Sequence, residues 1–311
     1  MSRLIAMITL LATLSLGCTD LIIPIARRAS EPEATTPPSD IAVARDIVFA
    51  ETADGSLALD LYTPVERPSA PLPVIVFVYG GGWFVGNKNQ IQLINGHELT
   101  RRGYAVVAAS YRLTDVATFP AQIHDVKASV RWVRANAARY GFDASRIGII
   151  GASAGGHLVA LMGVSNGDAA LEGNVGGEAL AGYSSDVAAV VDLFGPTQLA
   201  PPEEYVDATD WMVERLIGGA LDERGDVARQ ASPATYVSAA TVPILMIHGD
   251  ADPIVDVWQS TSFHVLLVAA GVDSTLHIVG DGGHGQGGDF SPELINRLAG
   301  DFFDRALGVA R

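Results

Sequence analysis

Cysteine is scarce in this sequence, and its scarcity excludes two kinds of structure. Cys18 is the only cysteine among 311 residues, so no disulfide can form within the chain and no metal site can be built from several thiolates. His97-Glu98 begins like the zinc-binding motif of a metalloprotease, but Arg101 stands where a second histidine is required. A Gly-x-x-x-x-Gly-Lys phosphate-binding loop is also missing from the sequence. We therefore expect no metal ion and no cofactor.

Positive charge is in short supply as well. The chain has 20 Lys and Arg residues against 35 Asp and Glu residues, which gives a formal net charge of −15. An acidic surface repels the phosphates of nucleic acids and the headgroups of anionic lipids. We therefore expect no nucleic-acid partner and no membrane binding through basic residues.

The first apolar run of the chain is too short to cross a bilayer comfortably. Arg3 precedes the run, which covers residues 4–16, whereas a hydrocarbon core of ~30 Å needs about 20 apolar residues. A positive residue followed by a short apolar run is typical of a secretory signal peptide. We predict a signal peptide over residues 1–17 and hence an exported protein.

The end of this run resembles the cleavage box of bacterial lipoproteins. It reads Leu14-Ser15-Leu16-Gly17-Cys18, and the resemblance implies cleavage before Cys18 and attachment of lipid to its sulfur. We expect a lipoprotein of the bacterial cell envelope, tethered by residues 18–40, whose prolines and polar residues are typical of a flexible linker. The alternative is an ordinary signal peptide, which would leave the protein periplasmic or secreted.

Residues 41–311 alternate between strand and helix patterns. Runs that are apolar on both faces are typical of strands covered by helices on both sides, as in a parallel sheet. We predict a doubly wound, mostly parallel α/β fold. The predicted strands are 43–49, 57–62, 74–79, 105–110, 147–150, 188–193, 244–248 and 275–279, and the predicted helices are 121–140, 154–164, 256–270 and 292–307.

Two details of this alternation lead to further predictions, one about a helix and one about two insertions. In helix 121–140 the apolar residues recur three and four apart, and Lys127, Arg131 and Arg134 fall off that stripe, which predicts a solvated face. Residues 166–185 and 200–230 interrupt the alternation, and they are candidates for a small lid, with ordinary surface loops as the alternative. Trp211, in the second insertion, is a candidate for substrate binding or for core packing.

Ser153 is the strongest candidate for a catalytic residue. It lies in Gly151-Ala152-Ser153-Ala154-Gly155, directly between a predicted strand and a predicted helix. A serine on so sharp a turn is exposed at the carboxyl end of the sheet, and glycines on both sides leave room for the backbone. We predict that Ser153 is a nucleophile.

A run of three glycines follows the predicted strand 74–79. Gly80-Gly81-Gly82 would let backbone N–H groups approach a developing oxyanion without obstruction by side chains. The N–H of Ala154 would supply a further donor. Trp83, next to this turn, is a second candidate for substrate binding, with core packing as the alternative.

A serine nucleophile needs a histidine base, and the base needs a carboxylate that orients it. His264 and His277 lie inside a predicted helix and a predicted strand, whereas His284 lies in a glycine-rich loop after the last strand. In this fold the chain order is nucleophile, acid and histidine. The acid is therefore one of the carboxylates that follow the predicted strand 244–248. Spacing alone does not choose among Asp250, Asp252 and Asp256.

With these residues in place, the chain resembles α/β-hydrolase esterases and lipases related to hormone-sensitive lipase, and especially the bacterial bifunctional feruloyl and acetyl xylan esterases. The matching motifs are Gly80-Gly81-Gly82-Trp83, Tyr111-Arg112-Leu113, Phe119-Pro120-Ala121 with Asp125, Asp143-Ala144-Ser145-Arg146-Ile147, Gly151 to His157, Phe194-Gly195-Pro196-Thr197, Ser232-Pro233, and the loops of Asp252 and His284. One departure is Tyr79, where many relatives have histidine.

The resemblance implies a triad of Ser153, Asp252 and His284, with backbone oxyanion donors at Gly81, Gly82 and Ala154. It implies a serine esterase that acts on short-chain carboxylic esters of small molecules or oligosaccharides, such as acetyl or feruloyl esters of plant carbohydrate. The alternatives are an arylformamidase or a serine peptidase of the same fold, or a non-catalytic module that binds at the cell surface.

Overall fold

An eight-stranded sheet organises the part of the chain that the structure, a computed structural model, describes, namely residues 32–200 and 209–309. The strand order is β1-β2-β4-β3-β5-β6-β7-β8, in which β1 and β2 are antiparallel to their neighbours and the other strands are parallel. The strands are β1 (Ile41–Thr52), β2 (Gly55–Pro64), β3 (Leu72–Val78), β4 (Ala105–Ala109), β5 (Phe142–Ala152), β6 (Ala189–Leu193), β7 (Ile244–Gly249) and β8 (Ser274–Val279).

Helices connect the parallel strands, as the right-handed crossovers of such a sheet require. They are α1 (Gly96–Arg101), α2 (Ala121–Ala135), α3 (Ala137–Tyr140), α4 (Ala154–Val164), α5 (Ala169–Glu172), α6 (Gly177–Ala181), α7 (Asp210–Ile217), α8 (Leu221–Ala231), α9 (Trp258–Ala269) and α10 (Pro292–Ala306). Short 3₁₀ helices cover Lys88–Ile94 and Pro233–Tyr236. The predicted mostly parallel α/β fold is confirmed.

Strand β5 shows that helices cover both faces of the sheet. A Cβ at Gly148 would meet the ring of Phe303 on α10, whereas a Cβ at Gly151 would meet Val159 on α4. Because successive side chains of a strand point to opposite faces, positions 148 and 151 face opposite sides. The sheet is therefore enclosed between α4 and α10, and every residue of the central strand β3 is buried.

The predicted solvated face of α2 is wrong for two of its three basic residues. Lys127 is 0% exposed and Arg131 is 4% exposed. Both pair with Glu172 of α5, at 2.8 Å for Lys127 and 2.9 Å for Arg131. The insertion 166–185 packs on α2 and covers this face, so the charged groups are enclosed together with a counter-ion, as burial of charge requires.

Two predicted elements differ most from the structure in their boundaries. The predicted helix 121–140 is divided at Asn136 into α2 and α3. The strand predicted over 147–150 begins five residues earlier, at Phe142. Both differences are at the ends of elements, where local sequence patterns are least informative.

The predicted signal peptide (1–17) and Cys18 lie outside the described residues, as does the tether up to residue 31. The end of the predicted tether contacts the domain: Arg45 donates to the carbonyl of Thr35 at 2.9 Å, and Asn89 donates to the carbonyl of Pro32 at 3.0 Å. Within the two described ranges, no helix is both long enough and apolar enough to cross a membrane.

Candidate active site

Ser153 occupies a strained turn between β5 and α4. Its φ is 54° and its ψ is −121°, a conformation that costs about 1–3 kcal/mol for a residue with a side chain. The turn is held from both sides, because the Ser153 N–H donates to the carbonyl of Leu193 at 2.8 Å and the Ser153 carbonyl accepts from the N–H of His157 at 2.9 Å. The hydroxyl is thus presented at the carboxyl end of the sheet.

His284 and Asp252 complete a chain of hydrogen bonds with Ser153. The distance from His284 Nε2 to Ser153 Oγ is 2.9 Å, and the distance from His284 Nδ1 to Asp252 Oδ2 is 2.7 Å. The structure therefore brings together the three side chains named from the sequence, although 131 residues separate Ser153 from His284. This arrangement can transfer a proton from the hydroxyl to the imidazole while the carboxylate holds the ring.

The side chain of Asp252 is buried but remains ionised. Burial opposes ionisation, yet the positive charge that His284 can carry, the hydrogen bonds of His248 and His284, and the Ile254 N–H together hold the pKa of Asp252 well below its usual range. Its Oδ1 accepts from the N–H groups of Ile254 at 2.8 Å and Val255 at 3.0 Å. Both carboxylate oxygens are thus fixed, and one of them is aimed at the imidazole.

The two other carboxylates considered from the sequence point elsewhere. Asp250 is exposed at the end of β7. Asp256 is exposed, and its side chain accepts from the N–H of Trp258 at 2.7 Å at the start of α9. Of the three, Asp252 is the one that hydrogen-bonds His284.

The glycine turn after β3 passes directly beside Ser153. A Cβ at Gly80 would lie 3.1 Å from the Cβ of Ser153 and 2.6 Å from the carbonyl oxygen of Ala152. Gly81 and Gly82 have φ values of 128° and 57°, which favour glycine, and the Gly81 carbonyl accepts from the N–H groups of Phe84 and Val85, both at 3.1 Å. Among the described residues, no acceptor pairs with the N–H groups of Gly81, Gly82 and Ala154.

Tyr79 shows how this turn packs without the histidine of many relatives. Its ring stacks on that of Tyr111, with 4.4 Å between the centroids. Each hydroxyl donates to the other residue's carbonyl, at 3.2 Å from Tyr79 and 3.1 Å from Tyr111. The pair ties the end of β3 to the segment that follows β4.

The two tryptophans considered for substrate binding have different environments. Trp83 is 2% exposed and its indole N–H donates to Nδ1 of His157 at 3.1 Å, so core packing is its role and its ring offers no face to a substrate. Trp211 lies half-buried on α7 with its ring 5.2 Å from that of Phe84, and its indole N–H is buried without an acceptor among the described residues. Both interpretations of Trp211, substrate binding and core packing, therefore stay open.

The two insertions considered as a lid also differ. Several contacts with α2 fix residues 166–185, among them the ion pairs of Glu172 and a hydrogen bond from Arg134 to the carbonyl of Ser184 at 2.7 Å. In the second insertion, α7 lies on the glycine turn: a Cβ at Gly82 would be 2.6 Å from the Met212 sulfur, and Arg215 donates to the Thr114 hydroxyl at 2.9 Å. Residues 201–208 of that insertion are outside the described part of the chain.

Three residues that were not predicted from the sequence lie at or near the site, and two of them, His248 and Phe194, contact the triad side chains. His248 lies 3.4 Å from Asp252 Oδ2 and bonds the Val255 carbonyl and the Ser260 hydroxyl. Phe194, at φ 46°, packs its ring 4.6 Å from that of His284. Asp192 is fully buried on β6, and burial raises its pKa to about 7. Phe194 belongs to a motif shared with relatives, so the sequence singled out this residue. It did not indicate that the ring contacts His284.

Comparison with known proteins gives consistent results. LipC, an esterase of Mycobacterium tuberculosis, is 32% identical over 68% of this chain and 52% of its own length. A truncated carbohydrate esterase from gut microbiota is 35% identical, with a TM-score of 0.78 over 88% of this chain and 100% of that one. Esterase 2 of Thermogutta terrifontis, solved with butyrate bound, is 25% identical, with a TM-score of 0.71 over 88% and 97% of the two chains.

The chain spans about half the length of the curated relatives it matches. A family model extends the resemblance over most of the catalytic domain, because the BD-FAE model matches residues 59–267. This range runs from β2 to α9 and contains Ser153, the glycine turn and Asp252. The resemblance seen in the motifs is confirmed, and the chain belongs to the BD-FAE family.

Proposed function

We propose that this protein is a serine esterase that hydrolyses short-chain carboxylic esters, with carbohydrate esters as its substrate class. The observation that carries the proposal is the hydrogen-bonded chain from Ser153 through His284 to the buried, ionised Asp252. Such a chain activates a hydroxyl that would otherwise be unreactive.

In the first half of the reaction, Ser153 Oγ attacks the ester carbonyl and its proton passes to His284 Nε2. The N–H groups of Gly81, Gly82 and Ala154 stabilise the oxyanion that forms, and loss of one such donor costs about 10²–10³-fold in rate. The intermediate collapses as His284 protonates the leaving alcohol. This collapse leaves the acyl group on Ser153 Oγ. Water, deprotonated by His284, then attacks the acyl-enzyme, and His284 returns the proton to Ser153 Oγ as the acid leaves.

Two observations support short acyl groups. Helix α7, which lies on the glycine turn, has eight residues and includes Glu214 and Arg215, so it is not the long apolar lid of an interfacial lipase. The Thermogutta esterase, which has the same fold, was solved with butyrate bound. For the alcohol, the similarity to a carbohydrate esterase supports a sugar.

The test is a series of aryl esters from acetyl to palmitoyl, run beside acetylated xylan oligosaccharides and feruloyl esters. We expect kcat/KM to be highest from acetyl to butyryl and to fall steadily thereafter. The control is Ser153→Ala, which should fold normally and lose about 10⁴-fold or more in kcat. A kcat/KM that rises towards palmitoyl, or turnover that persists in Ser153→Ala, would contradict the proposal.

A further inference from the structure

Trp83 has an unusual backbone for a residue of its size. Its φ is 63°, in the left-handed region that bulky side chains rarely adopt. A residue keeps such a conformation only when its surroundings hold it there. Trp83 directly follows Gly81 and Gly82, so whatever holds Trp83 also sets the direction of their N–H groups.

His157 is the side chain that holds the indole. Trp83 donates its Nε1–H to His157 Nδ1 at 3.1 Å, and the two rings meet edge to face with 5.2 Å between their centroids. The other ring nitrogen, Nε2, lies 2.7 Å from the carbonyl oxygen of Ala231. Because Nδ1 accepts, Nε2 carries the proton and donates to Ala231.

The environment of His157 keeps this arrangement at neutral pH. The ring is fully buried, and burial lowers its pKa to about 4, against the smaller opposite effect of the Ala231 carbonyl. At pH 7 the imidazole is therefore neutral, with one acceptor and one donor, and both are used. A charged ring would have no acceptor for Trp83.

These contacts join three parts of the site. His157 lies one turn after Ser153 on α4, Trp83 directly follows the glycine turn, and Ala231 is the last residue of α8, one position beyond the second insertion. On α7, the Met212 sulfur lies against Gly82, and Arg215 lies over the ring of Phe84 and donates to the Thr114 hydroxyl. The N–H groups of Gly81 and Gly82 thus lie between α4, which follows Ser153, and α7.

We propose that His157 is a positioning residue, which aligns the Gly81 and Gly82 N–H groups with Ser153. It does so by bridging the indole N–H of Trp83 to the carbonyl of Ala231, which fixes the indole in place. This inference rests on the proposed esterase activity, because it assigns the alignment of its oxyanion donors. It also implies that the carboxyl end of α8 supports the site, because the carbonyl of Ala231 holds the ring of His157.

The test compares esters with thionoesters in the variants His157→Phe and Trp83→Phe. Sulfur is a weak hydrogen-bond acceptor, so hydrolysis of an aryl thionoacetate depends little on oxyanion donors. We expect kcat for the aryl acetate to fall about tenfold to a hundredfold, KM to change little, and the ester-to-thionoester ratio of kcat to fall by a similar factor. His157→Asn, which keeps an acceptor near the position of Nδ1, should recover part of the loss.

Met162→Ala is the matched control, since Met162 is buried on the same helix and its truncation destabilises the fold without touching the turn. It should leave the ratio unchanged. A ratio that is unchanged in both His157→Phe and Trp83→Phe, while the wild-type protein is active, would overturn the inference alone. An inactive wild-type protein would overturn the proposed function and this inference with it.

A second measurement reports on the hydrogen bond without catalysis. In a proton–nitrogen correlation spectrum, the indole signal that disappears in Trp83→Phe belongs to Trp83. We expect this signal to shift and its proton to exchange faster with solvent in His157→Phe. An unaltered signal would show that His157 does not hold the indole, and the inference would be wrong. If His157→Phe does not fold, His157→Leu, which also lacks an acceptor for the indole N–H, gives the same comparison.

Discussion

Single side chains in this site are distinguished by their hydrogen bonds more than by their positions in the chain. Asp250 and Asp252 are two residues apart, yet Asp250 is exposed while Asp252 bonds His284 and the N–H groups of Ile254 and Val255. The carboxylate that bonds Nδ1 of a histidine determines which nitrogen carries the proton. The two aspartates should therefore respond very differently to the same substitution.

We expect Asp252→Asn to lower kcat by about 10⁴-fold, because an amide that donates to Nδ1 would place the imidazole proton on the wrong nitrogen. Its remaining oxygen can still accept from Ile254 and Val255, so the loop should keep its shape. Asp250→Asn should retain near wild-type kcat. Steady-state kinetics on an aryl acetate measures both, and a crippled Asp250→Asn would show that the acid is misassigned.

Asp192 should make stability depend on pH. Its Oδ1 accepts from the N–H of Gly195 at 2.9 Å, and among the described residues its Oδ2 has no partner. Burial raises the pKa to about 7, against the opposite effects of the Gly195 N–H and the charge that His248 can carry. Between about pH 4 and pH 7 the folded protein therefore keeps a proton that the unfolded chain has released. The stabilisation is present below pH 4 and is lost as the pH rises through 7.

Asp192→Asn removes this titration. We expect the variant's free energy of unfolding, relative to that of the wild type, to increase by on the order of 2 kcal/mol between pH 5 and pH 8. Urea unfolding at the two pH values measures it, with Asp250→Asn as the control for loss of an exposed carboxylate. A relative stability that is the same at both pH values would mean that Asp192 does not change its protonation in this range.

At the scale of elements, the glycine turn lies in a narrow space between α4 and α7. A Cβ at Gly82 would lie 2.6 Å from the sulfur of Met212 and 2.7 Å from the ring of Phe84. Contacts this short would force the Met212 side chain, the Phe84 ring or the turn itself to move. The absence of a side chain at this position therefore serves the fit of the two elements as well as the proposed access to the oxyanion.

We expect Gly82→Ala to lower kcat on an aryl acetate at least tenfold, because a shift of the turn displaces its N–H groups from the oxyanion. Gly141→Ala is a suitable control: Gly141 also has a positive φ, of 68°, but a Cβ there would meet nothing within 4 Å. The control should lose about 1 kcal/mol of stability and keep its kcat. Equal effects of the two substitutions on kcat would indicate that backbone strain, and not the contact with α7, is responsible.

At the scale of the whole molecule, the catalytic domain follows a segment that was predicted to carry a lipid. The prediction of a lipid on Cys18 depends on the sequence alone. A diacylglyceryl group with an N-acyl chain supplies more than one hydrophobic signal, which stable anchoring requires. The domain has an acidic surface and would gain no attraction to anionic lipid, so the anchor would have to hold it by itself.

Expressed in a bacterial host, the wild-type protein is therefore expected in the membrane fraction, and Cys18→Ser is expected in the soluble fraction. Intact-mass analysis of the mature protein should show Cys18 as the first residue with a lipid adduct. A mature protein that begins elsewhere, without an adduct, would indicate an ordinary signal peptide. Activity in solution should be the same for both forms, since the site lies entirely within residues 41–311.

Local patterns were enough to predict the α/β class and several candidate site residues. The strand–turn–helix context of Ser153 and the loop position of His284 can be read within about ten residues of each. The same holds for the glycine turn, because a backbone that must approach another group closely selects glycine wherever it occurs. Their catalytic roles stay predictions until the variants are measured.

Other features depend on residues far apart in the sequence, so no local pattern contains them. Which carboxylate faces His284 depends on how the loop after β7 folds back, and spacing left three candidates. Lys127 is buried because Glu172, 45 residues later, packs against it. Trp83 binds His157, 74 residues away, instead of facing a substrate. The sequence by itself determined which residues are present at each turn, whereas packing between distant segments decided which of them meet, because burial and hydrogen bonding are settled only when the chain is folded.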